Sequence, residues 1–192
     1  MIAARKAWPV VLLVAVSFAQ SPHRETKPRP MQVERTSNTY AIYSMLLTDD
    51  PSPGIPQKRG TVAIADTTVN ITDMSPAIAP DTQLQPPPGH EKAFQEAVQD
   101  FQSRRFERIE LTREFHLTGD YALLNPSQVA AYRQTQSGYP AITFFSEVYF
   151  DAKQTAALVY RNNFCGNLCA NSEWIYLEKR GKQWVRRSGL NI

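Results

Sequence analysis

The sequence predicts an α+β fold in which two or three helices pack on a C-terminal antiparallel meander sheet of four or five strands. Apolar residues recur at helical spacing in the first part of the chain, and the final quarter contains four β-rich runs joined by short turns. Strands and helices do not alternate, which argues against a doubly wound parallel sheet. The hydrophobic share of 42% is sufficient for one core.

Residues 1–19 are predicted to be a cleavable signal peptide. Arg5 and Lys6 form a positive start, an apolar run of about 12 residues follows, and Ser17 and Ala19 are the small residues that a signal peptidase recognises. The alternative is a transmembrane anchor, which needs roughly 20 apolar residues. We therefore expect cleavage after Ala19, a periplasmic or secreted protein, and no transmembrane segment in the mature chain.

The charge of the mature chain does not indicate a nucleic-acid-binding protein. The sequence has 21 basic and 18 acidic residues, and the loss of Arg5 and Lys6 with the signal leaves 19 against 18, a net charge of +1. Nucleic-acid binding requires a clustered excess of lysine and arginine. Such a cluster occurs only near the C-terminus, where a solvated strand face explains it and an anionic partner or membrane surface is the alternative. Its members are Lys179, Arg180, Lys182, Arg186 and Arg187.

A single domain is predicted over residues 37–192, after a disordered, proline-rich linker over residues 20–36. Apolar residues between Tyr40 and Leu47 recur at i, i+3 and i+7, which predicts a helix with Ser37 as its N-cap. The proline-rich DPSPGIP stretch then ends that helix.

Residues 60–71 are rich in β-branched side chains and are predicted to form a strand. A proline-rich surface segment follows over residues 73–89. Phe94, Val98 and Phe101 then mark one face of a second helix.

A third helix is predicted after Asn125, which can cap it, with Pro126 in the first turn and Gln128 at the reciprocal position of a capping box. The β-rich runs AITFFSEVYF, QTAALVY, EWIYLEK and QWVRR follow. Upstream, Asn70 begins a sequence that matches a glycosylation acceptor.

The stretch RNNFCGNLCANSEW, residues 161–174, contains both cysteines of the chain, Cys165 and Cys169. Three residues separate them, whereas a thioredoxin-type motif has two and lies at a strand-to-helix turn. Zinc needs about four ligands, and no histidine has ligand spacing to this pair. A local disulfide is the leading interpretation because Gly166 allows a tight curl, and a thiol–disulfide redox function is the alternative. No metal or other cofactor is predicted.

No catalytic residue is assigned. His116 lies four residues before Asp120, a spacing at which a carboxylate can orient a general base, but no nucleophile motif accompanies the pair. Glu147 and Asp151 lie on or next to one predicted strand, and two carboxylates without a cleft do not define a glycosidase. The sequence contains no P-loop, no GxGxxG and no HExxH motif.

The cysteine loop and its flanking strand residues form the predicted binding surface. Aromatic side chains crowd the C-terminal strands, and alternation along a strand directs some of them to each face. Core packing with cross-strand pairs is the structural interpretation. The functional interpretation is a contact surface for a protein, a peptide, a carbohydrate or an apolar ligand. The candidate binding residues are Tyr160, Asn162, Asn163, Phe164, Asn167, Asn171, Trp174 and Tyr176.

The C-terminal sequence FSEVYFDAKQTAALVYRNNFCGNLCANSEWIYLEKRGKQWVRR resembles that of a family of exported bacterial proteins to which no activity is assigned. Their pattern is an ALVY-like strand, then CGxLC, then LEKxxGxW. The resemblance implies export and the shape of the cysteine loop. A glycine often follows the second cysteine in that pattern, where this chain has Ala170. The order of helices before a meander is also similar to NTF2-like and cystatin-like folds, whose curved sheets often hold a pocket.

Three functional hypotheses follow from the sequence. The leading one is a non-enzymatic binding or interaction domain of the cell envelope or secretome. The second is a thiol–disulfide redox protein that uses Cys165 and Cys169. The third is a small hydrolase-like enzyme with an NTF2-like pocket near His116 and Asp120.

Overall fold

The structure is a computed structural model that describes residues 29–30, 33–48, 61–74, 78–135, 139–166 and 170–191. Within those ranges the helices are α1 (Val33–Thr48), α2 (Glu91–Arg104) and α3 (Pro126–Thr135), with a short 3₁₀ helix at Pro80–Thr82. The strands are β1 (Arg29–Pro30), β2 (Val62–Ala65), β3 (Ile109–Glu110), β4 (Tyr121–Leu124), β5 (Ile142–Phe145), β6 (Tyr149–Phe150), β7 (Ala156–Phe164), β8 (Asn171–Arg180) and β9 (Gln183–Arg186).

The α+β fold class is confirmed, but the sheet is larger and more mixed than predicted. Its strand order is β4-β2-β5-β7-β8-β9, and β6 pairs with β7. The C-terminal strands form the expected antiparallel meander, whereas β2 pairs in parallel with both β4 and β5. Two strands that run in the same direction need a long connection between them. Here α3 supplies the connection from β4 to β5, and the long segment that contains α2 supplies the one from β2 to β4.

Regular secondary structure begins nearer the N-terminus than the sequence predicted. Strand β1 pairs in parallel with β3, and α1 begins at Val33 and not at Ser37. Both features fall within residues 20–36, for which composition predicted a linker. Proline-rich composition carries no signal for a pairing partner eighty positions away, as Ile109 is from Arg29. The predicted signal peptide, residues 1–19, lies outside the described residues.

Helices cover both faces of the sheet. On one face α1 buries Tyr43 and Leu46 against strand residues such as Val159. On the other face α2 buries Phe94 and Phe101 against β7 and β8, and α3 covers β2 and β5. The predicted helical stripes therefore face the core as expected.

Ion pairs join α1 to α2 around the edge of the sheet near β6. The guanidinium of Arg35 donates to both carboxylate oxygens of Asp100, at 3.3 and 2.5 Å, and to the carbonyl of Val148. Asp100 also accepts from the backbone N–H of Phe150 at 2.9 Å. The contact therefore fixes the two helices relative to the strand between them.

None of the helices in the described ranges combines the length and the apolarity that a membrane-spanning segment requires.

Candidate functional site

A cleft of about 510 Å³ opens on the sheet face that carries α3. One side is α3, from Pro126 to Gln134, and another is the segment 65–69 that leaves the sheet after β2. Strands β5 and β7 provide the floor. The cleft therefore lies beside the carboxyl ends of β2 and β4, the position where open sheets with parallel strands bind ligands.

The floor of the cleft consists of residues that alternate along two neighbouring strands. Phe144 on β5 lies directly opposite Asn162 on β7. Tyr160 and Phe164 lie two positions to either side of Asn162 and share its face, because side chains on a strand alternate. Three of the predicted binding residues, Tyr160, Asn162 and Phe164, therefore line one cavity.

A reciprocal capping box positions α3, as predicted. The backbone N–H of Gln128 donates to Asn125 Oδ1 at 3.0 Å, and the backbone N–H of Asn125 donates to Gln128 Oε1 at 2.9 Å. The helix then places Arg133 over the cleft floor. The guanidinium carbon of Arg133 is 5.5 Å from the ring centroid of Phe144 and 5.7 Å from that of Phe164.

The cleft contains charges of both signs. Arg108 and Asp73 neutralise each other through a contact of 2.7 Å. Asp66 accepts a hydrogen bond from the hydroxyl of its neighbour Thr67 at 3.0 Å. In the described part of the chain, neither Asp66 nor Arg133 forms an ion pair with another protein group. Counted over the described residues, the cleft therefore presents one negative charge, on Asp66, and one positive charge, on Arg133, without an ion-pair partner.

The residues beneath the cleft are structural. Tyr132, on the buried side of α3, packs with Ile142 and Phe144. Burial raises the pKa of Tyr132.

Four of the other predicted binding residues, those that the structure describes, do not line the cleft. Asn163 points to the α1 side, where it accepts a hydrogen bond from Thr143 at 2.9 Å, and Asn171 is exposed at the start of β8. Trp174 is 3% exposed and donates to the carbonyl of Ile78. Tyr176 is also buried, 5.6 Å from the ring of a phenylalanine on α2. Trp174 and Tyr176 thus belong to the core, and Asn167 lies outside the described residues.

The cysteine loop is described only in part. Cys165 follows β7 and does not carry a free thiol. Cys169 lies outside the described residues, so the Cys165–Cys169 bond remains a prediction. Phe164, one residue before Cys165, belongs to the cleft floor. The loop therefore continues directly from the cleft.

His116 and Asp120, the two residues of the hydrolase hypothesis, are exposed to solvent. His116 is exposed beside a shallow concavity near α1, and its backbone N–H donates to Ser44 Oγ at 2.8 Å. Asp120 is exposed as well, and its carbonyl accepts from the backbone of Val62. A general base needs a held geometry and a perturbed environment, and exposed side chains provide neither.

The two carboxylates near β6 have structural partners. Glu147 is 2% exposed and contacts the guanidinium of Arg104. Burial lowers the pKa of Arg104, with the positive charge of Arg35 as a further cause. Asp151 accepts hydrogen bonds from the turn that joins β6 to β7. This pair therefore serves the fold.

The predicted glycosylation acceptor Asn70 is 6% exposed in the folded domain. Its amide nitrogen donates to the carbonyl of Phe106, and its side-chain oxygen accepts from both the backbone and the hydroxyl of Thr72. A glycan on this nitrogen would replace the bond to Phe106.

The C-terminal cations are largely engaged with the protein itself. Arg186 and Arg187 pair with Glu173 and Glu178 at 2.5 and 3.4 Å, and Lys179 lies over a tryptophan ring at 5.6 Å. These contacts favour the interpretation of a solvated strand face.

The cleft residues outside β7, chiefly Asp66 and Arg133, were not predicted from the sequence. A usable signal was present, because Asp66 and Asn125 each follow a short apolar run that becomes a strand of the parallel part of the sheet. That Asp66 and Asn125 lie at the same edge of the sheet can be inferred only when β2 and β4 are known to be parallel.

Comparisons with protein-family models, with curated proteins and with solved structures gave no match. Among the described residues, no group of three or more His, Cys, Asp or Glu side chains is placed to hold a metal ion. Function must therefore be inferred from the cleft and its residues.

Proposed function

We propose that this chain is an exported, non-enzymatic binding domain of the cell envelope or secretome, and that its ligand occupies the cleft between α3 and the segment 65–69. The observation that carries the proposal is the cleft itself, whose lining combines three aromatic side chains with polar and charged groups. Small-molecule sites typically have volumes of about 300–1,000 Å³ and pair apolar surface with polar groups that fix orientation. The candidate ligands are a peptide, a segment of a partner protein, or a carbohydrate.

Export is supported by the sequence features of residues 1–19. In a bacterial host, the purified mature protein is expected to begin at Gln20, with a mass that lacks the first nineteen residues. An intact N-terminus on a membrane-associated protein would instead favour an uncleaved anchor.

The Cys165–Cys169 bond is proposed to shape the loop that follows the cleft floor. A small ring removes little chain entropy, so the bond contributes only about 2 kcal/mol to stability on the polymer model. The redox alternative makes a different prediction for the reduction potential of the pair. A value below about −300 mV is expected of a structural bond, and a value near those of thiol oxidoreductases would establish the alternative.

The binding proposal is tested with a cleft-filling substitution. Ala130 is exposed and lines the cleft, whereas Ala131 is equally exposed on α3 but lies outside the cleft lining. Peptide and oligosaccharide panels are screened by thermal shift, and each ligand found is titrated by calorimetry. Ala130→Trp is expected to abolish binding, and Ala131→Trp is expected to preserve it.

The matched pair separates loss of the site from loss of the fold. Both variants should unfold at nearly the same denaturant concentration as the parent, because both alanines face solvent. Equal binding by Ala130→Trp and by the parent would refute the cleft as the site.

A further inference from the structure

We propose that the cleft binds a zwitterion, specifically a dipeptide or tripeptide with free termini and an apolar side chain. This inference rests on the proposed function, since it names the ligand class of the same cleft.

The position of Arg133 favours a carboxylate over a sugar. Its guanidinium lies over the rings of both Phe144 and Phe164. A sugar that stacks on those rings would first have to displace it. A guanidinium that lies over a ring with its flat face keeps its N–H groups in its own plane, free of the ring, where they can form two parallel hydrogen bonds with one carboxylate.

Asp66 supplies the complementary charge at a fixed position. Its backbone N–H donates to the carbonyl of Leu124 at 2.9 Å, and its own carbonyl accepts from the N–H of Leu111 at 2.7 Å. The backbone is thus held from both sides, and one neighbouring hydroxyl orients the carboxylate. Such a group is suited to an ammonium ion.

The charge balance disfavours ions of a single sign as ligands. Since Arg108 and Asp73 neutralise each other, a simple anion would pair only with the exposed Arg133, and a simple cation would pair only with the partly buried Asp66. Charges that lose water without gaining a partner weaken binding. A molecule with one charge of each sign satisfies both residues.

The rest of the cleft lining matches the body of a peptide. Tyr160 and Val129 add apolar surface beside the two phenylalanine rings, and Asn162 brings an amide that can both donate to and accept from a peptide bond. A volume of about 510 Å³ accommodates a short peptide and excludes a long one unless it leaves the cleft.

The test uses the tripeptide Ala-Phe-Ala with free termini, its N-acetyl form, its C-amide form and the doubly blocked form. Each is titrated by calorimetry into the mature full-length chain. Hydrogen bonds to charged groups are strong enough that each block is expected to weaken binding by about tenfold or more.

Two variants assign each terminus to a residue. Arg133→Gln should bind the free peptide and the C-amide equally, and Asp66→Asn should bind the free peptide and the N-acetyl form equally. The matched control is Arg105→Gln, because Arg105 also stacks on a phenylalanine, at 5.0 Å, but lies outside the cleft. This control should retain the full preference for free termini.

The outcomes separate this inference from the proposed function. Equal affinity for the free and blocked peptides, or no binding of the free peptide, overturns the zwitterion class. If maltotriose binds instead and Ala130→Trp abolishes that binding, the binding proposal stands while the ligand class falls. If Ala130→Trp leaves the binding of every ligand unchanged, the proposed function itself falls.

Discussion

Asp151 is expected to be a main determinant of the stability of the turn between β6 and β7. Its carboxylate is buried, with the residue 4% exposed. One oxygen accepts from the backbone N–H groups of Thr155 and Ala156 at 2.6 and 2.7 Å, and the other accepts from the Thr155 hydroxyl at 2.8 Å. The substitution Asp151→Ala removes all three acceptor contacts.

The expected loss follows from which donors can regain water. Thr155 is exposed, so its two donors can be rehydrated, and each lost bond costs about 1 kcal/mol or less. Ala156 is 2% exposed, so its N–H stays buried without a partner, at a cost of about 1–3 kcal/mol. The sum predicts that Asp151→Ala lowers the free energy of unfolding by about 3 kcal/mol.

The control is Asp151→Asn, measured by urea unfolding beside the alanine variant. Both backbone donors contact the same oxygen, which the amide retains, and the amide nitrogen can donate to the Thr155 hydroxyl. Only the charge assistance is lost, so a decrease of about 1 kcal/mol is expected. If the two variants lose equal stability, the hydrogen bonds are not what holds this turn.

Three further predictions concern the core. Phe101 is fully buried between two aromatic rings, so Phe101→Ala should lower the free energy of unfolding in urea by about 3–5 kcal/mol. The control Phe106→Ala, at a 51% exposed position, should lower it by about 0.5 kcal/mol or less. Equal losses of stability in the two variants would contradict this packing. Burial raises the pKa of Tyr149 and of Tyr176 above the ordinary 10.0. The unfolded chain ionises first, so stability should be full below about pH 10 and fall above it, as urea unfolding at increasing pH will show. In the folded protein, phenolate absorbance should show these two tyrosines still protonated when exposed ones have ionised, and full ionisation near pH 10 would contradict their burial.

The fold could be predicted where the signal is local. The stripes of α1 and α2 and the cap of α3 are patterns within a few residues, and the structure confirms them. The parallel pairing of β2 with β4 and β5 could not be predicted, because it joins segments separated by α2 or α3 and leaves no local pattern. The predicted strand over residues 60–71 had no partner in the sequence argument, so the sheet was expected to be smaller.

For the candidate site as well, local patterns identified some residues correctly and misassigned others. Tyr160, Asn162 and Phe164 were identified because they flank a distinctive cysteine motif. Trp174 and Tyr176 are aromatic and near the same motif, but α2 covers their part of that sheet face. Helix α2 lies some seventy residues earlier in the chain, so the motif carries no sign of this cover. Proximity to a motif could not separate exposed aromatic residues from buried ones.

The alternating side chains of β7 imply that substitutions and insertions in this strand have different consequences. Its even positions from Tyr160 onward face the cleft, whereas Val159 packs on the α1 side and Arg161 donates to a carbonyl of α1. Under the proposed function, point substitutions at Asn162 or Phe164 would therefore alter ligand preference without disturbing the α1 core. A one-residue insertion would exchange the two faces, bringing Arg161 into the cleft and Tyr160 against α1. Divergence of specificity in relatives of this chain should therefore proceed by substitution at constant strand length.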